Sequence, residues 1–293
     1  MQTYFAKPHD GTHPRPFPHE EYPMTYECIL LETESSIATI TLNRPKVLNA
    51  MNWQLRFELE NALDLLNEDS GVKVVILRGA GRAFCAGAYV KGQTEVSPLG
   101  FYSRHTYLHQ LFYKFTKFRK PIIGSIHGYC LGMGLEFALL CDLLIASDDT
   151  KFGEPEIKLG ESYGVIRLPR LIGEKRAMWI SLSGEMFSAA EAKEWGIVNK
   201  VVPGDQLEPE TKKLAQHLSK QSASAMWILK ETMKASLSMD PQNAFVLESM
   251  AEALSQTSPD YSTGVSAFFN KQEPAFQAPL PGTRFENTDE TVK

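Results

Sequence analysis

Within residues 28–77 the chain reads strand, strand, helix, strand, and this order constrains its fold more than any other feature. Residues 28–33 and 36–42 are short runs of strand-forming side chains on either side of Glu34 and Ser35, which predicts a hairpin. Residues 53–66 set Leu55, Leu59, Ala62, Leu63 and Leu66 on one helical stripe. Residues 74–77 are a continuous apolar run of the kind buried on both faces of a sheet. A strand that returns through a helix to another strand needs a crossover, so the pattern predicts βαβ construction and an α/β fold.

The same plan recurs in residues 120–156. An apolar strand at 122–126 enters a turn bearing Gly128, Gly132 and Gly134; a short apolar helix carrying Glu136, a second strand and Glu156 follow. Two carboxyl groups embedded in apolar sequence need a chemical reason.

The 293 residues suffice for one large core with a smaller appended element. A net charge of −5 gives no general attraction for nucleic acid or an anionic membrane surface, so neither is expected as a partner. Cys28, Cys85, Cys130 and Cys141 are scattered, mostly in apolar settings, and show neither zinc-ligand nor CxxC spacing. They predict reduced core thiols and no metal site. No stretch approaches the ~20 apolar residues needed to span a bilayer, and the acidic, serine-free N-terminus does not look like an organelle-targeting segment. The expected location is cytoplasmic.

Residues 1–25 are rich in proline and histidine and predict a flexible arm; His9, His13 and His19 are too loosely spaced to predict a metal site. Residues 26–206 predict the α/β core, 207–276 a helical module and 277–293 a flexible tail. Within the core, residues 92–100 read as a loop and 101–118 as an aromatic-rich helix, whose Tyr102, Tyr107, Leu108, Leu111, Phe112 and Phe115 either pack in the core or line a pocket. Residues 174–182 and 188–195 read as helices, the second capped by Ser188, and 196–202 as a strand-like run. Residues 207–237 and 241–257 read as helical.

Residues 78–88 hold three glycines and four alanines, which suits close approach of another molecule to the backbone and equally suits an ordinary βα turn. They lack GxGxxG and GxxxxGK[ST], so a phosphate-cradling nucleotide fold is not indicated. A helix starting near Met133 would aim a first-turn amide, at the positive end of the helix dipole, toward a developing negative oxygen. With a second amide from Ala88 this makes an oxyanion hole, where each donor contributes roughly 3–4 kcal/mol. Glu136 and Glu156 in apolar surroundings could split their proton affinities and serve as acid and base. The plainer alternative is that Glu136 complements the helix dipole while Glu156 pairs with Lys158 or Arg170. His127 reads as structural, because no serine or cysteine arrangement supports a nucleophilic triad, and Cys85 and Cys130 read as small core residues.

Three runs carry a resemblance: residues 42–51, Leu-Asn-Arg-Pro-Lys-Val-Leu-Asn-Ala-Met; residues 81–88, Gly-Arg-Ala-Phe-Cys-Ala-Gly-Ala; and residues 120–156. Together with Arg167-Leu168-Pro169-Arg170 and residues 267–271 they closely resemble the enoyl-CoA hydratase/isomerase (crotonase) family over about residues 26–276. The resemblance implies a spiral of ββα units and a C-terminal helical module that builds homotrimers, often paired into hexamers. It implies an acyl-CoA substrate, no separate cofactor, and a thioester oxygen held by the amides of Ala88 and Met133 while an enolate forms. Lys46, Val47, Leu48 and Ala86 would contact CoA, with Lys271 reaching the CoA phosphates of a neighbouring subunit. Glu136 and Glu156 match the two glutamates that hold and activate water in family hydratases, with Glu136 as base toward water and Glu156 exchanging the α-proton.

Two departures from the family pattern stand out. The loop at 161–166 is shorter than the glycine-rich loop usual in hydratases, and Tyr89 replaces a common aspartate. Tyr89 and Tyr163 are therefore acyl-pocket candidates; Tyr163 reads either as a catalytic or substrate-binding phenol or, more plainly, as a packing tyrosine. The expected activity is hydration of a 2-enoyl-CoA. The alternatives are an enoyl-CoA isomerase, a hydroxyacyl-CoA hydratase-lyase, and a non-catalytic member that binds acyl-CoA or RNA.

Overall fold

The computed structural model describes residues 26–90, 97–162, 166–276 and Leu280. The expected arm at 1–25, Tyr163 and almost all of the expected tail lie outside the described residues. The expected hairpin is β1 (Ile29–Glu34) with β2 (Ile37–Leu42), antiparallel, and Ser35 turns it at φ 56°. In α1 (Trp53–Glu68) the stripe from Leu55 to Leu66 is buried, and Asn52 caps the helix by accepting from the Leu55 amide. β3 (Val74–Gly79) pairs parallel with β2, completing the βαβ crossover.

From here each long strand is followed by a short one. β4 (Ala83–Cys85) follows β3 and leads, beyond the undescribed residues 91–96, to α2 (Pro98–Lys117). β5 (Ile122–Ile126) and β6 (Tyr129–Leu131) lead to α3 (Met133–Leu140). β7 (Leu143–Ser147) and β8 (Lys151–Gly153) lead to a 3-10 turn at Pro155–Leu159 and then α4 (Leu168–Ile172). The ββα spiral that the resemblance implies is therefore present.

Next come α5 (Glu174–Ser183), β9 (Phe187–Ser188), α6 (Ala189–Glu194) and β10 (Lys200–Val202). Among the described residues the long strands, with the three-residue β10 at the edge, form a six-stranded sheet in the order β1-β2-β3-β5-β7-β10, and the other short ones form a second sheet, β4-β6-β8-β9. In that second sheet β4, β6 and β8 run parallel, so the segments after them emerge at one edge. In open α/β sheets this carboxyl edge is where ligands bind.

The second sheet and the helix above it are in close contact. A β-carbon on Gly134 would lie 2.1 Å from the Cys85 carbonyl oxygen, so only glycine lets α3 sit so near β4. The α3 helix is apolar on every face and buried nearly throughout, with Glu136 as its titratable group. Phe112 and Phe115 of α2 pack on Phe137 of α3, with ring centroids 6.2 and 5.9 Å apart. Core packing is thus the role of Leu108, Leu111, Phe112 and Phe115, whereas Tyr102 is exposed.

The C-terminal helices are α7 (Leu207–Ser219), α8 (Ala223–Ser236), α9 (Pro241–Gln256) and α10 (Pro259–Asn270). The first of them covers the long sheet, Ala215 packing with Val74, Ile76 and Ile123. Lys230 anchors α8 to the core by donating to Asp142 at 2.6 Å and to the Lys120 carbonyl at 2.8 Å.

Several boundaries differ from the expectation. α2 begins at Pro98 because Ser97 caps it and proline is tolerated in a first turn. The strand expected from 196 is confined to Lys200–Val202, because Gly196 at φ 82° closes α6 and turns Ile197 back onto the Ala192 carbonyl. The helix expected over 207–237 breaks where Ser222 caps α8.

Candidate active site

The edge formed by β4, β6 and β8 gathers most of the residues singled out in the sequence. After β4, Met51 forms a parallel bridge using the Gly87 carbonyl, at 2.9 Å, and the Tyr89 amide, at 2.8 Å. Ala88 lies between those two residues, so its own amide faces the opposite side of the strand. Gly87 itself closes on the segment after β6: a β-carbon there would lie 3.3 Å from the Leu131 carbonyl oxygen and 4.0 Å from the Met133 amide nitrogen. Met133 opens α3, so its amide is a first-turn donor at the positive end of the helix. The two segments expected to supply an oxyanion hole are therefore neighbours.

Lys46, Val47 and Leu48 lie in and just after a 3-10 turn at Pro45–Val47. The Ala86 amide donates to the Leu48 carbonyl at 3.0 Å, which brings the expected CoA contacts together beside the turn. Asn49, fully buried and left-handed at φ 57°, knots this corner. Its side-chain amide donates to the carbonyls of Ala80, Ala83 and Phe84, and its oxygen accepts from the Arg44 amide. The Arg44 guanidinium lies 5.1 Å over the ring of Tyr89, which lines the same edge. Lys271 stands apart as the left-handed C-cap of α10. His127 holds the Gly81 carbonyl at 2.9 Å, as expected of a structural histidine. Burial pushes the Cys85 thiol up to about 12, consistent with a core residue.

Glu136 projects from the first turn of α3 and is almost wholly buried. Arg167, immediately before α4, donates to its Oε2 at 2.8 Å and lies 5.1 Å over the ring of Phe112. Burial, the largest influence, pushes the Glu136 carboxyl up to about 7 against the pull of Arg167, with a further push from Glu156. Glu156 follows β8 in the 3-10 turn, and its carboxyl lies over Gly132: a β-carbon there would be 1.9 Å from Oε1. Its pKa is raised, chiefly by burial. Among the described residues Glu156 forms no ion pair with Lys158 or Arg170, so the plainer alternative does not describe it.

Sequence reasoning missed two residues. In the sequence Arg167 is one residue of the Arg-Leu-Pro-Arg run, and only the fold makes it the partner of Glu136. Glu154, two residues before Glu156, is buried with neither carboxyl oxygen meeting a donor. The signal available was the string Gly-Glu-Pro-Glu, which sets a second acid beside the expected one. A cavity of about 500 Å³ between the long sheet and α7, lined by Thr41, Arg78 and Thr211, contains none of the expected site residues.

The arrangement sets the segment that carries Ala88 against the segment that opens with Met133, with two carboxyls of raised proton affinity, Glu136 and Glu156, on the neighbouring residues of the same edge. Residues 32–279 match the family model described as enoyl-CoA hydratase/isomerase. The chain is 38% identical over 257 residues to the Mycobacterium tuberculosis protein named "Probable enoyl-CoA hydratase echA8", covering 86% of this chain and 99% of that one. It is 33% identical over 258 residues to 1,2-epoxyphenylacetyl-CoA isomerase of Escherichia coli, covering 85% and 98%. It superposes on the crystal structure of an enoyl-CoA hydratase from Bacillus anthracis with a TM-score of 0.82 and 31% identity, covering 85% and 99%. The fold is the crotonase fold, and the chain belongs to the enoyl-CoA hydratase/isomerase family.

Proposed function

We propose that the protein is an enoyl-CoA hydratase, adding water across the 2,3 double bond of an acyl-CoA thioester. The observation that carries this reading is the pair of carboxyls, Glu136 buried and Glu156 partly buried, beside the turn where Gly87 closes on the amide of Met133. The amides of Ala88 and Met133 hold the thioester oxygen, so negative charge that develops there as the enolate forms meets fixed donors. Glu136 takes a proton from water as the oxygen bonds to the β-carbon. A value near 7 lets it be ionised over much of the neutral range, and Arg167 stabilises that ionised form. Glu156, its proton affinity raised by burial, delivers a proton to the α-carbon. Lys46, Val47, Leu48 and Ala86 contact CoA, and Lys271 meets the CoA phosphates across a subunit boundary. The substrate supplies CoA, and the chemistry uses no other cofactor.

A homotrimer, or a pair of trimers, is the assembly this reading adopts. The exposed Phe245, Met250, Phe268 and Phe269 of α9 and α10 support it, since apolar patches of this kind mark interaction surfaces.

One observation favours an isomerase as the second reading. The ion pair of Glu136 with Arg167 could leave Glu156 alone to shuttle a proton between the α- and γ-carbons, and one relative is named an isomerase. Assay of short, long, branched and aryl enoyl-CoAs in oxygen-18 water separates the two. Hydration puts solvent oxygen into the product and isomerisation does not.

A further inference from the structure

Glu154 has no part in the reaction as derived, yet it is more deeply buried than Glu156 and acts electrostatically on both Glu156 and Glu136. It occupies the residue between β8 and the 3-10 turn, so Pro155 alone separates the two acids. Neither of its oxygens, nor Oε2 of Glu156, nor Oε1 of Glu136, meets an N–H or O–H donor. The groups that face Glu154 are Glu136 of α3, Cys130 of β6, and Glu156 on its own segment. Arg167 enters the cluster by way of Glu136, and Glu161 acts on Glu156. Three carboxyls thus share a buried site into which one guanidinium reaches.

That charge count cannot stand with every carboxyl ionised. Two carboxylates in contact offer four acceptors and no donor, so they approach only when one carries a proton. Glu136 has the cation, and Glu156 is the less buried of the other two. Once Glu156 has given up its proton, the one that must remain between the two falls to Glu154.

We propose that Glu154 is a positioning residue that stays protonated at neutral pH and donates its O–H to the Glu156 carboxyl, fixing that carboxyl over Gly132 and stabilising the anion left when Glu156 gives up its proton. The electrostatics agree: burial, then Glu156 and Glu136, push Glu154 up to about 11, and the hydrogen bond from Glu154 pulls Glu156 down. The proton stays on Glu154 throughout, and only the proton of Glu156 moves.

The catalytic consequence rests on the hydratase reading, whereas the protonation does not, so two readouts are taken on the full chain. Infrared difference spectra of wild type against Glu154→Gln at about pH 8 should show a neutral-carboxyl C=O stretch that the variant lacks. Glu154→Leu should lower kcat at least ~tenfold with little change in KM and move the alkaline limb of the pH profile upward. Glu154→Gln, which keeps an N–H donor, should recover most of that loss. Absence of a neutral-carboxyl band sensitive to Glu154→Gln overturns the proposal, whether or not any enoyl-CoA is turned over. So does a kcat in Glu154→Leu within about twofold of wild type. Failure of wild type to hydrate any enoyl-CoA, with the band present, overturns the hydratase reading alone.

Discussion

Arg167 and Glu136, thirty-one residues apart in sequence, are joined by a 2.8 Å hydrogen bond between a partly buried guanidinium and a buried carboxyl. Phe112 of α2 supports the guanidinium from below, so three segments of the spiral fix one carboxyl's orientation. The pair also sets the proton affinity of Glu136, because Arg167 opposes what burial raises.

Replacing Arg167 by glutamine should therefore push Glu136 above its present value of about 7. An adjacent opposite charge typically lowers a carboxyl by about 1–3 pH units, so kcat at neutral pH should fall roughly tenfold or more and partly recover as pH rises. The pH dependence of kcat checks this, and lysine at 167 should lie between the two.

Gly132→Ala should displace Glu156, because the new β-carbon would lie 1.9 Å from Oε1 and the backbone at φ 51° already disfavours a side chain. Strain of this kind costs about 1–3 kcal/mol. Thermal unfolding should show a modest loss of stability, and steady-state kinetics should show a larger loss in kcat than in binding.

Stability should depend on pH through Glu154. Its folded value, about 11, lies above the ordinary 4.5, so its contribution is complete below about pH 4.5 and is lost as pH rises toward 11. Glutamine at 154 does not titrate, so Glu154→Gln should gain stability relative to wild type by up to about 1.4 kcal/mol per pH unit. Urea unfolding of both proteins at about pH 5, 7 and 9 measures the trend.

The start of the core depends on Glu58, whose buried carboxylate accepts the amides of Glu27, Cys28 and Ile29 at 3.0, 2.7 and 3.1 Å. Glu58→Ala leaves those amides without their acceptor, and each buried orphan costs about 1–3 kcal/mol. The urea midpoint should fall by the equivalent of about 3 kcal/mol while kcat of the folded protein stays unchanged.

The long strands and helices were legible because each repeats its apolar period several times, as the buried stripe from Leu55 to Leu66 does. The short sheet was not, although it assembles the site. β4, β6 and β8 each have three residues, too few to establish a period, and they are strands because they pair with one another. β4 and β6 also fell within runs that read as glycine turns. Glu136 and Glu156 stood out as acids in apolar sequence, whereas Arg167 and Glu154 acquire their roles from neighbours that only folding brings near. α4 was hidden by Pro169, which normally ends a helix but here occupies its first turn.

The most direct test of the account follows hydration of an enoyl-CoA in oxygen-18 water by wild type, Glu136→Gln and Glu156→Gln. The account predicts solvent oxygen at the β-carbon with wild type, and a loss of about 100-fold or more in kcat for each variant. A wild-type product without solvent oxygen, or near-normal hydration by both variants, would contradict it.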